Sequence, residues 1–385
     1  MIHRLQLGQV PPKPHTVFEP EGKLSFEHCI TRQGFDGTYS IVYHRQAPHW
    51  IESQQEQGLH PGFAPTEELT QPCRRHFLAP QLKASDSPFL GRKLLLANSD
   101  VAIWFVHAEQ ADPTLTVNAD GDEVVFVFSG QGLVHTQLGV LHYQAGDYVY
   151  LPRGIIHRWQ PTQTSQFMIT EGRSWIDLPA QYRNASGQLK MDAPYSHRDF
   201  KAPQWQKDLC SDNPREVLVK RQDRLYHQVF AHHPFDIWGW DGALWPFVFN
   251  IKDFQPKIGQ VHLPPTVHAT FAGGGFLVCS FVPRRVDFHE RAIPCPYPHS
   301  SVDCDELIFY VEGNFTSRKG IGPGSMSLHP MGLPHGPHPG TYEASIGTHS
   351  TNEVAVMLDT FKPLLPTTWA KGIEDPDYQQ SWMKT

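Results

Sequence analysis

Short apolar or alternating runs, separated by turn residues, dominate the chain from residue 93 onwards. In the first half these runs cover residues 94–97, 101–106, 124–128, 132–136 and 148–151. A second series covers residues 246–251, 275–282, 306–313, 326–329 and 354–359. The 34 prolines and 30 glycines favour many short strands over long helices. This rhythm predicts a mainly β protein built from antiparallel barrels or sandwiches.

The segments outside these two series are more polar and less regular. Residues 1–90 are rich in Pro, His and Gln, with one strand expected at 41–44, and we predict an irregular arm or cap that packs on a barrel or a neighbouring subunit. A helix is expected at 214–221, within the polar connection. The predicted division is an N-terminal arm (1–90), a first barrel (91–175), a connecting segment (176–240), a second barrel (241–365) and a C-terminal tail (366–385).

Length and composition narrow the class of protein. A chain of 385 residues exceeds the usual size of one domain, which agrees with two barrels. The net charge of −7 and the lack of a basic run argue against a nucleic-acid surface. No apolar stretch approaches the roughly 18 residues needed to span a membrane. The start of the chain lacks the layout of a signal peptide and the six cysteines form no CxxC pair, so we expect reduced thiols in a cytoplasmic protein.

One motif occurs twice with the same spacing. Residues 146–157 and residues 324–335 share the frame G-x5-P-x-G-x2-H. Upstream of each copy is a glutamate followed seven residues later by a glycine, at Glu123 and at Glu306. The repetition indicates that the two barrels are related copies of one domain.

The second copy carries one further histidine, which completes a possible metal site. His299 precedes Glu306 by seven residues, and His335 ends the repeated frame, on what we expect to be a returning strand. Two imidazoles and one carboxylate on neighbouring strands form the facial triad of non-haem Fe(II) oxygenases, and Zn²⁺ accepts the same ligands. We therefore predict that His299, Glu306 and His335 bind a metal ion.

The first copy lacks this set. It keeps Glu123 and His157, but Thr116 stands seven residues before the glutamate, where the second copy has a histidine. The nearest upstream histidine, His107, lies sixteen residues before Glu123. The first barrel is therefore predicted to be a structural copy without a full metal site.

Further histidines, from a total of 23, crowd the second copy. His262 opens a run that ends at His268, and His329 lies six residues before His335. A neutral imidazole beside a metal is suited to take a proton from an aromatic diol, so His262 and His329 are predicted to be catalytic, and His268 to contact the substrate. The alternative is that these histidines are surface residues on loops.

The repeated frame, together with E-x6-G, is that of the cupins, so the chain resembles a bicupin of two jelly-roll barrels. The second half also resembles a narrower family, the homogentisate 1,2-dioxygenases. The resemblance is strong over roughly 255–365 and weaker over 90–170. The residues that carry it are Phe281-Val-Pro-Arg-Arg, Tyr297-Pro-His, Glu306, Ser327-Leu-His, Leu333-Pro-His-Gly-Pro and Val356-Met-Leu-Asp-Thr-Phe-Lys-Pro.

This resemblance implies an Fe(II) cofactor held by His299, Glu306 and His335. It places His329 in the active site, and it makes His262 a better match than His268 for the proposed proton acceptor. The implied reaction is ring cleavage of homogentisate by O₂ to maleylacetoacetate, in tyrosine and phenylalanine catabolism, with the substrate bound to iron through a ring hydroxyl and its carboxylate. It also implies a homo-oligomer, either a trimer or a pair of trimers.

The chain departs from this family at several positions. Phe315 stands where members carry a substrate-contacting tyrosine, and His338 stands where an aspartate usually follows the H-G-P motif. We expect Phe315, like His268 and the ligand His335, to contact the substrate. The chain is also shorter than most members, and the spacing from His299 to the glutamate is one residue longer than in the best-known ones.

Two questions stay open in the sequence. The group that binds the substrate carboxylate is not identified, and Arg284 and Arg285 are candidates by charge and by position along the chain. The alternative functions are a related cupin dioxygenase that acts on gentisate or another hydroxylated aromatic acid, and a non-redox bicupin. The latter would be a Zn²⁺-dependent isomerase or a metal-free binding protein.

Overall fold

The structure is a computed structural model that describes residues 2–68, 71–83, 86–206, 215–315 and 320–383. In these residues the first fourteen strands, β1 to β14, are Leu5–Gly8, Phe26–Thr31, Tyr39–His44, Ile51–Leu59, Arg75–Leu78, Lys93–Ala97, Val101–Ala108, Leu115–Asn118, Asp122–Ser129, Gln131–Thr136, Gly139–Gln144, Asp147–Leu151, His157–Pro161 and Ser165–Gly172.

The second half of the chain adds twelve strands and two short α-helices within the same described residues. Strands β15 to β26 are Glu216–Arg221, Arg224–Phe230, Ile237–Gly242, Phe247–Asn250, Ala269–Gly273, Phe276–Phe281, Arg284–Arg285, Asp305–Glu312, Ser325–His329, Ser350–Thr351, Val354–Thr360 and Leu365–Pro366. The helices are α1 (Thr341–Ala344) and α2 (Thr368–Lys371). Short 3₁₀ helices lie at Ala79–Gln81, Ala180–Tyr182, His197–Asp199, Ile251–Asp253, Pro265–His268 and Tyr378–Trp382.

Four larger sheets and one short strand pair organise these strands. The central sheet has the order β18-β12-β9-β14-β7-β6-β26, and the outer sheet has the order β11-β10-β13-β8-β15-β16-β4. The cavity sheet has the order β19-β20-β25-β22-β23-β5, and the N-terminal sheet has the order β1-β17-β3-β2. The short pair is β21-β24. Among the described strands, β8 and β15 pair in parallel and the other pairings are antiparallel.

The central sheet is buried on both faces. Alternate residues of β7, such as Trp104, pack with residues of the outer sheet in one apolar cluster. The residues between them, such as Phe105, belong to a second cluster shared with the cavity sheet, where the Phe105 ring lies 6.1 Å from that of Phe309. A strand covered on both faces needs apolar residues throughout, which explains the unbroken run at 101–106.

Side-chain alternation in β22 positions the candidate site. Leu307 and Phe309 pack towards the central sheet in the shared apolar cluster. Successive side chains of a strand point to opposite faces, so Glu306, Ile308 and Tyr310 point the other way, and all three line a cavity.

The N-terminal segment contributes strands to three sheets. Strands β1 to β3 form the N-terminal sheet with β17, β4 extends the outer sheet beside β16, and β5 extends the cavity sheet beside β23. The segment expected to be an irregular arm is thus paired with later parts of the chain. The connecting segment likewise holds β15, β16 and most of β17.

The prediction of a mainly β, antiparallel fold is confirmed, and each predicted strand overlaps an observed one. The helix expected at 214–221 is wrong, because residues 216–221 form β15, while Pro214 lies outside the described residues. The β-branched Val217 and Val219 fit a pleated strand, and β15 fills the space between β8 and β16. Pairing with strands that are distant in sequence therefore determines the conformation of residues 216–221.

Two further expectations concern thiols and membranes. Cys29, Cys73, Cys279, Cys295 and Cys304 are free cysteines, and Cys210 lies outside the described residues. In the part of the chain that the structure describes, the helices are too short to cross a membrane.

Candidate metal centre

His299, Glu306 and His335 meet beside a cavity of about 340 Å³. Nε2 of His299 lies 3.8 Å from Oε2 of Glu306, and Nε2 of His335 lies 3.9 Å from the same oxygen. Both separations exceed hydrogen-bond length, and potential ligand atoms of all three side chains lie within 4.8 Å of one another. The His335 side chain is buried while that of His299 is 31% exposed. One ion could therefore contact all three groups and still be reached from the cavity.

The backbone holds the two histidines together. His299 and His335 exchange two N–H···O bonds of 2.8 Å, which form a single bridge in loop segments, so the returning strand expected at His335 is wrong. Nδ1 of His299 donates to the Tyr297 carbonyl at 3.2 Å, and Nδ1 of His335 donates to the Leu333 carbonyl at 3.0 Å. A carbonyl only accepts, so each Nδ1 carries the proton and each Nε2 keeps the lone pair that a metal requires.

His329 lies behind Glu306. Its Nδ1 donates to Oε1 of Glu306 at 2.9 Å, and its side chain is fully buried. This hydrogen bond holds one carboxylate oxygen and leaves Oε2 directed at His299 and His335. On the other neighbouring strand Asp359 is the direct partner of Glu306. Burial, and then the Glu306 charge, raise the pKa of Asp359 to about 7.

An aspartate beside the glutamate fixes the turn of the repeated frame. Oδ1 of Asp305 accepts the N–H of Met331 at 2.8 Å, and its other oxygen accepts a second backbone N–H. Asp122 binds the N–H of Arg153, the corresponding turn residue of the first copy, at the same distance. The repeated frame does not include Asp305, although the dipeptide Asp-Glu occurs in both copies and is a signal for it.

His262 faces the cavity from the side of the ligand histidines. Its ring lies edge-on to Tyr297, with 4.9 Å between ring centroids, and its Nδ1 is 3.8 Å from Oδ2 of Asp287. Burial lowers the pKa of His262, and Arg284 and His299 lower it further against the opposing effect of Asp287. A neutral His262 can accept a proton, and Asp287 would stabilise the resulting charge.

His268 and Phe315 also line the cavity. Burial, Arg284 and His262 lower the pKa of His268 to about 3, so this imidazole is neutral, and it packs 4.9 Å from the Phe281 ring. The ring of Phe315 is buried against Tyr310, with 4.8 Å between centroids. Two of the three predicted substrate-contacting residues, His268 and Phe315, thus line the same cavity as His299 and Glu306, whereas His335 is not part of its lining.

Two residues singled out by the sequence lie elsewhere. His338 is buried, and its Nε2 hydrogen-bonds the Ser381 hydroxyl at 2.8 Å, with its ring 4.2 Å from Trp382. Arg285 is exposed and, unlike Arg284, does not line the cavity.

In the first barrel, a permanently charged arginine lies beside Glu123, the residue that corresponds to Glu306. Nη1 of Arg92 lies 2.6 Å from Oε1 of Glu123, and both side chains are only 1% exposed. Asn118 donates to the same oxygen at 2.7 Å. Burial opposes the charge on Glu123, but attraction to Arg92 and His157 outweighs burial and lowers its pKa.

The rest of this copy matches the second barrel closely. His157 pairs with Thr116 as His335 bridges to His299, and Nδ1 of His157 donates to the Ile155 carbonyl at 2.9 Å. Thr116 therefore stands at the position of His299, and the Arg92 guanidinium places a positive charge beside Glu123.

A second group of acidic side chains is already neutralised by the protein. Oxygens of Asp120, Glu171 and Asp223 lie within 4.8 Å of one another. Nζ of the fully buried Lys220 lies 2.7 to 3.0 Å from all three, and Arg173 forms ion pairs with them as well. Cationic side chains of the protein therefore already occupy this group.

The sequence matches one family along most of its length. Residues 93–251 match the family described as "Homogentisate 1,2-dioxygenase N-terminal", and residues 248–385 match "Homogentisate 1,2-dioxygenase C-terminal". A Saccharolobus solfataricus protein named "Putative dioxygenase SSO1533" is 36% identical over 386 residues, which cover 99% of each chain.

More distant relatives carry the substrate in their names. A Rhizobium etli homogentisate 1,2-dioxygenase is 26% identical, over 69% of this chain and 61% of its own length. The protein of that name from Rhodopseudomonas palustris strain BisA53 is 25% identical, over 81% of this chain and 76% of its own. The present chain therefore matches less than two thirds of the length of the Rhizobium relative.

Solved structures include cupins with low overall similarity. A cupin 2 conserved barrel domain protein from Leptotrichia buccalis has a TM-score of 0.32 and 10% identity, over 77% of this chain and 98% of its own. Protein Ylba from E. coli has a TM-score of 0.35 and 9% identity, over 77% of this chain and 93% of its own. The two family matches and the close relative, rather than these structures, show that the chain belongs to the homogentisate 1,2-dioxygenase family.

Proposed function

We propose that this protein is an Fe(II)-dependent dioxygenase that cleaves the aromatic ring of homogentisate and forms maleylacetoacetate. The observation that carries the proposal is the group of two imidazoles and one carboxylate beside a cavity, in a chain of this family. This donor set fits Fe(II) and leaves coordination positions for other ligands. Bound Fe(II) would supply the electron transfer between an electron-rich ring and O₂.

The chain's own residues would orient the substrate and move a proton. His262 accepts the proton of a ring hydroxyl, because it is neutral and faces the cavity beside the ligand histidines. His329 is fully buried and does not line the cavity, so it acts by holding Oε1 of Glu306 and not by contact with substrate. Apolar walls that include Ile308 and Phe315 exclude water around the ring.

The test is O₂ uptake by protein loaded anaerobically with Fe(II), with homogentisate and gentisate supplied in parallel. Rapid iron-dependent uptake with homogentisate, together with a ring-opened product, supports the proposal. Protein that retains iron but consumes no O₂ with homogentisate refutes this substrate.

Two matched variants test which of the two copies binds the iron. Glu306→Gln is expected to lose bound iron and turnover, because an uncharged amide is a poorer ligand than a carboxylate. Glu123→Gln is expected to keep bound iron, because Glu123 is paired with Arg92 in the other barrel. Iron loss from the Glu123 variant alone would reverse the assignment of the two barrels.

Phe315 supports a second candidate substrate class. The phenyl ring packed on Tyr310 offers no hydroxyl at the position where the family carries one. Turnover of gentisate, or of another hydroxylated aromatic acid, in preference to homogentisate would support a related cupin dioxygenase. Turnover with Zn²⁺ in place of iron, without O₂ consumption, would support a non-redox enzyme.

A further inference from the structure

The cavity beside the triad contains one permanently charged cationic side chain. Its walls are mostly apolar or aromatic, and Arg284 is the single lysine or arginine among the described residues that line it. His262 interacts electrostatically with both His299 and Arg284, so it lies close to the triad and to this arginine. A guanidinium in such a position can be reached by a small molecule that also contacts the metal centre.

Three contacts hold the Arg284 side chain in place. Nη1 donates to the Val282 carbonyl at 3.1 Å, Nη2 lies 3.1 Å from Oε1 of Glu353, and the guanidinium carbon lies 5.5 Å from the Phe281 ring centre. The backbone of Arg284 is fixed as well, because it pairs with Thr351 in the short β21-β24 sheet. The side chain is only 18% exposed, so its orientation is set before any ligand binds.

These contacts leave part of the guanidinium available. An arginine has five N–H groups, and the hydrogen bonds to Val282 and Glu353 use two of them. A carboxylate can receive two parallel N–H bonds from the remaining groups, which is the strongest geometry for this pair of ions. Glu353 is itself on the cavity wall and neutralises the guanidinium in the absence of an anion.

His268, a second basic side chain that lines the cavity, is neutral. The pKa of His268 is lowered to about 3 by burial, by Arg284 and by His262. Arg285, the alternative carboxylate partner, is exposed and does not contribute to the walls. Arg284 is therefore the group best placed to recognise a negative charge away from the metal.

We infer that Arg284 binds the carboxylate of an aromatic acid substrate and that Glu353 positions the guanidinium and competes with that carboxylate. The inference rests on the proposed function for the reaction, and it names the group that selects acids over neutral phenols. It differs from the placement implied by the resemblance, in which the carboxylate binds the metal. In this arrangement the metal centre would contact the ring hydroxyl and Arg284 would bind the carboxylate.

The two residues of this pair have opposite predicted effects on substrate binding. Arg284→Gln removes the charge and the paired N–H donors, so KM for homogentisate should rise about ten- to a hundredfold, with a smaller change in kcat. Arg284→Lys keeps the charge but not the paired donors and should give an intermediate KM. Glu353→Gln keeps a hydrogen-bond acceptor for the guanidinium but removes the competing charge, so it should lower KM. Arg285→Gln is the matched control and should leave KM unchanged.

A neutral substrate analogue shows how much the carboxylate contributes to binding. The amide of homogentisate keeps both ring hydroxyls, so the wild-type protein should bind it more weakly than the acid. The Arg284→Gln substitution should change KM for the amide less than threefold, since no anion is present. An equal loss for acid and amide would overturn the inference. Iron content and the thermal unfolding midpoint of each variant show whether the site and the fold are retained.

A binding measurement separates failure of the inference from failure of the proposed function. Zn²⁺-loaded protein is titrated calorimetrically with phenylacetate and with phenylacetamide, which need no turnover. Preferential binding of the acid that is lost in Arg284→Gln supports the inference, even if homogentisate is never oxidised. Equal binding of acid and amide by the wild-type protein, or a preference that survives in Arg284→Gln and Arg284→Lys, refutes it.

Discussion

Replacing Arg92 by methionine removes the cation that neutralises Glu123 and puts an apolar side chain in its place. Glu123 would then be a carboxylate with 1% side-chain exposure, with Asn118 as its remaining hydrogen-bond donor. Breaking a buried ion pair from one side costs about 3–5 kcal/mol, because the surviving charge stays buried without its counterion.

Protonation of Glu123 limits this loss of stability, because a neutral carboxylic acid needs no counterion. Protonation at pH 7 costs about 1.36 kcal/mol for each pH unit above the ordinary glutamate pKa of 4.5, which gives about 3.4 kcal/mol. The pKa of Glu123 in the variant is raised above its unfolded value, so the folded variant binds more protons than the unfolded chain. The deficit relative to the wild type should therefore be full near pH 7 and should shrink as the pH falls towards 4.5.

The assay is urea-induced unfolding followed by tryptophan fluorescence and circular dichroism at pH 7 and pH 5. The double variant Arg92→Met, Glu123→Gln carries neither charge, so it should recover most of the stability that Arg92→Met loses. Lys252→Met is the control, because its ion pair with Glu312 is more than half exposed and should contribute under about 1 kcal/mol. A loss below about 1 kcal/mol for Arg92→Met at pH 7, or an equal loss at both pH values, would refute the reasoning.

Three further predictions concern the second barrel and the histidines. His329→Leu removes the hydrogen bond to Glu306 and should weaken metal affinity about 10- to 100-fold, measured by competition with a chromophoric chelator; unchanged affinity would contradict the positioning role. Asp305→Ala leaves two backbone N–H groups without their acceptor and should cost about 1–3 kcal/mol for each, with Asp305→Asn less affected in the same urea assay. Burial lowers the pKa of His60 to about 3 and that of His28 to about 4, so the unfolded chain gains protons near pH 6.5 that the folded protein does not bind. Stability should therefore fall between pH 6.5 and pH 4, and higher stability at pH 5 than at pH 7 would exclude this explanation.

Local patterns of apolar and polar residues account for most of the correctly predicted strands. Runs such as 101–106 are apolar because both faces of their sheet are covered, and this leaves a clear signal in the sequence. The pairing of β5 with β23 joins residues about 250 positions apart, and no local pattern reports it. The same limit explains the error at 216–221, where a strand forms because β8 and β16 lie on either side of it.

The proximity of His299, Glu306 and His335 was predictable because the repeated frame supplied an internal comparison between two copies. The contact between His329 and Glu306 depends on the register of β22 and β23, which the sequence does not encode in a motif. Arg92 lies 31 residues before its partner Glu123 and outside the frame, so no spacing rule could connect them. Arg284 and Arg285 are adjacent in the chain, and only the direction of each side chain distinguishes the cavity residue from the exposed one.

The central sheet makes the stability of each half of the molecule depend on the other half. Its second face is covered by Phe309 and its neighbours on the cavity sheet, so separating the halves would expose both apolar surfaces to water. The wall shared by the two halves must therefore stay apolar, because a polar substitution on either side of it would bury a polar group in this cluster.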